Sequence, residues 1–136
     1  MKWVSKGKKK TYSIKRLGNS FKYALQGIKS AYKTEQNLLV HTVAAILVIA
    51  LGVIIQLTFL EFAIIFLVIG LVMTAEMINT SIEYAIDMAM PSIHPLAKVS
   101  KDVASGAVLF SAFIAIIVGC LIYIPKLIEF IKLMTN

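Results

Sequence analysis

The chain contains one cysteine, Cys120, so no disulfide can form within it. That thiol lies inside an apolar run and reads as inert packing. Also missing are a Walker A loop, a Gly-rich kinase loop and any zinc-spaced set of Cys and His, so no familiar motif announces nucleotide or metal chemistry. Charge is sparse, at 15% of the residues, and residues 103–124 carry none.

Apolar residues fill the space. They make up 59% of the 136 residues, against about 45–50% in an ordinary soluble domain, and the mean hydropathy is +0.84. Three runs hold most of them: residues 38–55, broken only by His41 and Thr42; residues 62–73; and residues 103–124. Each approaches the roughly 20 residues that cross a hydrocarbon core about 30 Å thick. A soluble helical bundle would keep a polar face along each helix, and these runs keep none. The expected fold class is an all-α integral membrane protein with three transmembrane helices, spans at about 36–57, 62–89 and 103–124.

Before the spans, the sequence is basic. Ten of the fourteen Lys and Arg lie in residues 1–33, and "KGKKK" occupies residues 6–10. Residues 1–13 are expected to be a basic leader, and residues 14–136 one membrane domain. From about 14 to 33, Leu17, Phe21, Ala24, Leu25, Ile28 and Tyr32 recur at helical spacing among lysines and Arg16, the pattern of an amphipathic helix lying on an anionic membrane surface. Basic segments next to spans stay in the cytoplasm. The N-terminus and the loop at about 87–102 are therefore expected there, with residues 56–61 and the tail after Pro125 outside. Residues 11–36 are too polar to follow a signal-peptide basic region. A nucleic-acid arm would suit the charge but would leave the intramembrane acids without a purpose, so no nucleic-acid partner is expected.

Those acids lie in "AEMINTSIEYAID", residues 75–87, at the end of the second span. At about 100° per residue, Glu76, Asn79, Thr80, Glu83 and Asp87 fall within roughly 100° of one helix face. That face cannot look at lipid, where an ionised group costs about 2.5 kcal/mol or more. It must line a polar cavity or meet partners such as Glu35, Lys98, Lys101, Asp102, Arg16, Lys22 and Lys29. Carboxylates facing cations at a membrane interface suit the delivery of a metal-bound phosphate to a lipid hydroxyl, with one acid on the metal and another as general base. Glu76 and Glu83 are two turns apart, about 10 Å, too far for one ion without a second helix such as that of Glu35. Spacing alone leaves proton or ion transport and assembly open beside catalysis. "PSIHP", residues 91–95, breaks the acidic helix.

"TEQN" at 34–37, "AEMINTSIEYAID" at 75–87 and "AKVSKDVASGAVL" at 97–109 together resemble the prokaryotic diacylglycerol kinase family. His41 and "HPLAKVSKDVASGAVL" resemble its Gram-positive branch, the undecaprenol kinases. The resemblance implies a homotrimer in the bacterial cell (inner) membrane, with active sites shared between subunits on the cytoplasmic side. The implied reaction transfers the γ-phosphate of ATP, with Mg²⁺, to a lipid alcohol: undecaprenol, or alternatively diacylglycerol. A small assembly or ion-conducting protein is the distant alternative. By motif position, Glu76 would be the catalytic base with Asn79 beside it, and Glu35 and Glu83 would hold the metal. Asp87, Ser92, Ile93, His94, Pro95, Leu96, Lys101 and Asp102 would contact the nucleotide, joined by Arg16 and Tyr23 from the surface helix, while Ser105 and Glu76 would meet the lipid substrate. His41 departs from the diacylglycerol-acting branch, which carries a second acid there.

Overall fold

The computed structural model describes residues 14–90 and 94–135, all in or between four helices. The leader, with Ser92 and Ile93 of the "PSIHP" loop, lies outside the described residues.

Helix α1, Ile14–Thr34, meets α2, Gln36–Ile54, across the single extended residue Glu35. From Arg16 to Ser30 every residue of α1 is exposed; only its last turn, around the buried Ala31, touches the rest of the chain. The Tyr32 hydroxyl and the Thr42 hydroxyl meet at 2.7 Å and pin that turn to α2.

The α2–α3 hairpin is tight because its capping groups satisfy the helix ends. Gln56 takes a left-handed φ of 57°, and the Leu57 N–H reaches back to the Gly52 carbonyl at 2.9 Å, closing a Schellman-type turn. Gly52 has no room for a side chain: a Cβ there would lie 2.9 Å from both Leu57 Cδ1 and the Tyr123 hydroxyl. Thr58 then caps α3, Phe59–Ala89, in a full capping box with Glu61. This box starts the helix at Phe59, ahead of the 62–89 stretch picked out by hydropathy.

Helix α4 is a single piece, Pro95–Thr135, and so runs well past the 103–124 apolar stretch at both ends. At its start, proline suits the first helical position, where no N–H is needed. At the other end the helix continues through Pro125, and Phe130 packs on the cluster of Ile55, Leu57 and Ile65. That contact holds the segment after the proline against the hairpin. Three helices, α2, α3 and α4, are long and apolar enough to cross a membrane. α3 packs most extensively on α4 and less so on α2, and is the central element.

Candidate active site

The polar face of α3 emerges from the protein by degrees. Glu76 is 1% exposed, Asn79 and Thr80 are buried, Glu83 is half-buried and the Asp87 side chain is 63% exposed. This burial arises within one chain, because α2 and α4 pack on α3. The stripe thus leads over about three turns, some 16 Å, from a buried interior to the helix end.

Its innermost groups are short of partners. The Thr80 hydroxyl donates to the Glu76 backbone carbonyl at 3.0 Å, leaving the Glu76 carboxylate unaided. Asn79 Nδ2 donates to Glu83 Oε1 at 3.0 Å. A carboxylate only accepts, so this bond fixes the amide orientation and turns Asn79 Oδ1 the other way. Glu76 Oε1 and Asn79 Oδ1 are both buried without a hydrogen-bond partner. Two orphaned acceptors on one helix face suit a donor supplied by something that binds, such as a hydroxyl or a cation.

The end of α1, next to Glu35, is tied to α3. The Tyr84 hydroxyl donates to the Thr34 hydroxyl at 2.5 Å, tying the end of α1 to α3. The tie joins the immediate neighbours of Glu35 and Glu83. Glu35 occupies the N-cap of α2, yet its side chain makes no capping bond, so its carboxylate is available. Among the described residues no three His, Cys, Asp or Glu side chains converge as a metal cage. Mg²⁺ asks for less: one or two carboxylates, with phosphate and water oxygens completing the octahedron. Glu83 and Glu35 fit that role chemically.

At the cytoplasm-facing end expected from the charge pattern, Lys101 pairs with Asp87 at 2.6 Å and Lys98 with Asp102 at 2.5 Å. His94 Nδ1 accepts from the Leu96 N–H at 3.2 Å, and Pro95 and Leu96 form the exposed first turn of α4. Ser105 is exposed beside the buried Ala104. Within one protomer Arg16 and Tyr23 do not join this group. Both are exposed, and Arg16 is about 27 Å along α1 from the turn that meets α3. The Thr34–Tyr84 tie was absent from the sequence-based set. Its signal was the position of each partner beside an acid of interest.

Comparison with known proteins identifies the family. The family described as "Prokaryotic diacylglycerol kinase" matches residues 22–123, which include every acid of the α3 stripe. The chain belongs to the prokaryotic diacylglycerol kinase family. It is 42% identical over 114 residues to the undecaprenol kinase of Bacillus subtilis, covering 84% of this chain and 93% of that protein. It is 38% identical over 111 residues to the diacylglycerol kinase of Synechocystis sp., covering 81% and 63%. It is 33% identical over 109 residues to the diacylglycerol kinase of Haemophilus influenzae, covering 80% and 92%. These names all describe lipid kinases.

Proposed function

We propose that the protein is an undecaprenol kinase, which transfers the γ-phosphate of ATP to the hydroxyl of undecaprenol at the cytoplasmic face of the bacterial cell membrane. The observation that carries the chemistry is Glu76. It is a carboxylate 1% exposed, with an unpartnered oxygen, placed where the polar stripe of a lipid-kinase chain meets its apolar interior. The acceptor follows from the relative named undecaprenol kinase, which is matched over 93% of its length.

In this mechanism the lipid hydroxyl donates its hydrogen bond to Glu76 Oε1. As the hydroxyl oxygen forms its bond to the γ-phosphorus, the proton passes to Glu76 and the bond to the β,γ-bridging oxygen breaks, releasing ADP. Glu76 is sequestered at rest and reaches the hydroxyl by turning about its own side-chain torsions, since such contacts tighten only when substrate binds. Asn79 holds Glu83, and Glu83 with Glu35 would hold the Mg²⁺ that accompanies ATP. The ion supplies neutralisation of phosphate charge. Lys101, Asp87, Lys98 and Asp102 form the nucleotide's side of the site, with the "SIHPL" segment from Ser92 to Leu96.

One protomer does not bring Arg16 and Tyr23 to the acids, and the otherwise uncovered α1 suits contact with a neighbour. We therefore assign the working unit as a homotrimer, with α1 of one subunit lying on the anionic membrane surface and completing the adjacent site.

Diacylglycerol kinase is the second reading, favoured by the name of the Synechocystis and Haemophilus relatives. Competition decides between them. Purified protein in mixed micelles receives equal mole fractions of undecaprenol and diacylglycerol with labelled ATP. Undecaprenyl phosphate is expected to accumulate faster, and faster phosphatidic acid reverses the assignment.

A further inference from the structure

Glu35 alone separates α1 from α2, with an extended backbone of φ −104° and ψ 107°, so α1 meets the rest of the chain through a one-residue hinge. Its N–H bonds the Ala31 carbonyl at 2.8 Å, but its side chain makes no capping bond. The direction of the Glu35 carboxylate therefore follows from how the last turn of α1 is fastened.

Two hydroxyl pairs fasten it. Thr34 Oγ1 lies 3.2 Å from the Ser30 carbonyl and 3.3 Å from that of Ala31. A carbonyl only accepts, so the single Thr34 proton stays inside α1 and the oxygen is left to accept from the Tyr84 hydroxyl at 2.5 Å. The same reasoning orders the second pair: Thr42 gives its proton to the Leu38 carbonyl at 2.7 Å, so Tyr32 donates to Thr42. The pairs stand on either side of Glu35 and run to different helices. Tyr32 fastens α1 to α2, the helix that Glu35 already begins. Tyr84 fastens it to α3, and among the described residues this is the one side-chain hydrogen bond between α1 and α3.

Sequence adjacency makes that bond set the spacing of two acids. Consecutive Cα atoms are about 3.8 Å apart, so the bonded pair carries Glu35 next to Thr34 and Glu83 next to Tyr84. Glu83 is already held by Asn79 Nδ2 at 3.0 Å. Glu35 depends on the fastening of its neighbour.

We infer that Tyr84 is a positioning residue, whose hydroxyl acts through Thr34 to hold the Glu35 carboxylate within reach of Glu83, so that the two can share one divalent cation. The inference rests on the proposed pairing of Glu35 with Glu83 and adds to it the group that sets their separation. Tyr84 itself touches neither the cation nor a substrate.

The test uses the full-length protein reconstituted in membranes. It is titrated with the preformed Mn²⁺ complex of a non-hydrolysable ATP analogue, and binding is followed by water-proton relaxation, which needs no turnover. Tyr84→Phe removes only the hydroxyl and should weaken binding about three- to tenfold, the range that one hydrogen bond sets. Thr34→Val should do the same, whereas Thr34→Ser keeps the acceptor and should stay within about twofold of wild type. In a Glu35→Gln protein, adding Tyr84→Phe should change binding by less than about twofold, because its effect runs through that carboxylate. Tyr32→Phe loosens α1 from α2 alone and should also stay within about twofold. The Mg²⁺ concentration for half-maximal rate should rise in parallel with the Tyr84→Phe binding loss, and saturating Mg²⁺ should recover most of the rate. Unchanged binding in Tyr84→Phe, equal losses in Tyr32→Phe and Tyr84→Phe, full additivity with Glu35→Gln, or a wild type that does not bind the complex would each overturn the inference. A wild type that binds the complex but phosphorylates no lipid alcohol ends the kinase reading, and the binding titration still decides the role of Tyr84.

Discussion

Replacing Glu76 should separate stability from activity, because the same burial that makes it useful makes it uncomfortable. The carboxylate is 1% exposed and one oxygen has no donor within reach. A buried polar atom without a partner costs about 1–3 kcal/mol. Glu76→Leu removes that atom at similar volume, so the folded state should gain about 1–3 kcal/mol. Glu76→Gln keeps the shape and an unpartnered polar atom, so its stability should stay within about 1 kcal/mol of wild type. Both variants lose the group that takes the hydroxyl proton, and turnover should fall roughly 10²–10⁴-fold. Stability is read by denaturant unfolding in micelles, turnover by labelled ATP with undecaprenol, and assembly by size exclusion. A Glu76→Gln protein that retains more than about a tenth of wild-type turnover removes Glu76 from the role of base. A Glu76→Leu protein destabilised by several kcal/mol would show instead that the carboxylate holds the helices together.

Other perturbations probe the rest of the site. Glu35→Gln and Glu83→Gln should each raise the Mg²⁺ concentration needed for half-maximal rate, and an unchanged metal dependence in both counts against their shared role. Mixed oligomers of Arg16→Ala and Glu76→Gln subunits should recover part of the activity if α1 serves a neighbour's site, whereas Glu35→Gln with Glu76→Gln should recover none if one chain supplies both acids to a site. Gly52→Ala places a Cβ 2.9 Å from Leu57 and the Tyr123 hydroxyl, so thermal unfolding should show a loss of about 1–3 kcal/mol, exceeding the roughly 1 kcal/mol gained in helix propensity. Lys101→Met breaks a partly exposed pair worth about 1 kcal/mol, so it should raise the KM for ATP while changing stability little.

Sequence alone revealed the three spans and the α3 stripe because both are periodic and extreme in polarity. Glu76, Asn79, Thr80 and Glu83 share one helix face, so their juxtaposition needed no tertiary information. Capping chemistry could have moved the start of α3 to Phe59: Thr58 and Glu61 stand at capping-box spacing, but hydropathy alone passes over a local hydrogen-bond pattern. The length of α4 was less accessible. Proline ends most soluble helices, and only the contact of Phe130 with Ile55 and Leu57, residues distant in sequence, shows why this helix runs on past Pro125. Contacts between helices, such as Tyr84 with Thr34, lie beyond any periodic signal.

The position of the switch in polarity along α3 has a further consequence. Ile65, Ile69 and Val72 are followed on the same face by Glu76, Asn79 and Glu83, with no intervening turn of mixed character. The apolar segment ends one turn before the carboxylate, so on the proposed mechanism an alcohol whose chain lies in the bilayer would meet Glu76 as its first buried acceptor. On the proposed mechanism the nucleotide would approach from the opposite side, where the Asp87 side chain is 63% exposed and pairs with the half-buried Lys101. A charged phosphate gains nothing by entering the apolar half, and the hydrocarbon gains nothing by leaving it. On the proposed mechanism solvation alone would hold the two substrates on opposite sides of Glu76, before any specific contact is made. Such an arrangement disfavours water as the competing acceptor, because the carboxylate at rest is 1% exposed. ATP hydrolysis without lipid should accordingly be slow, and labelled phosphate released by the purified protein in lipid-free micelles measures it; release as fast as lipid phosphorylation refutes the reasoning.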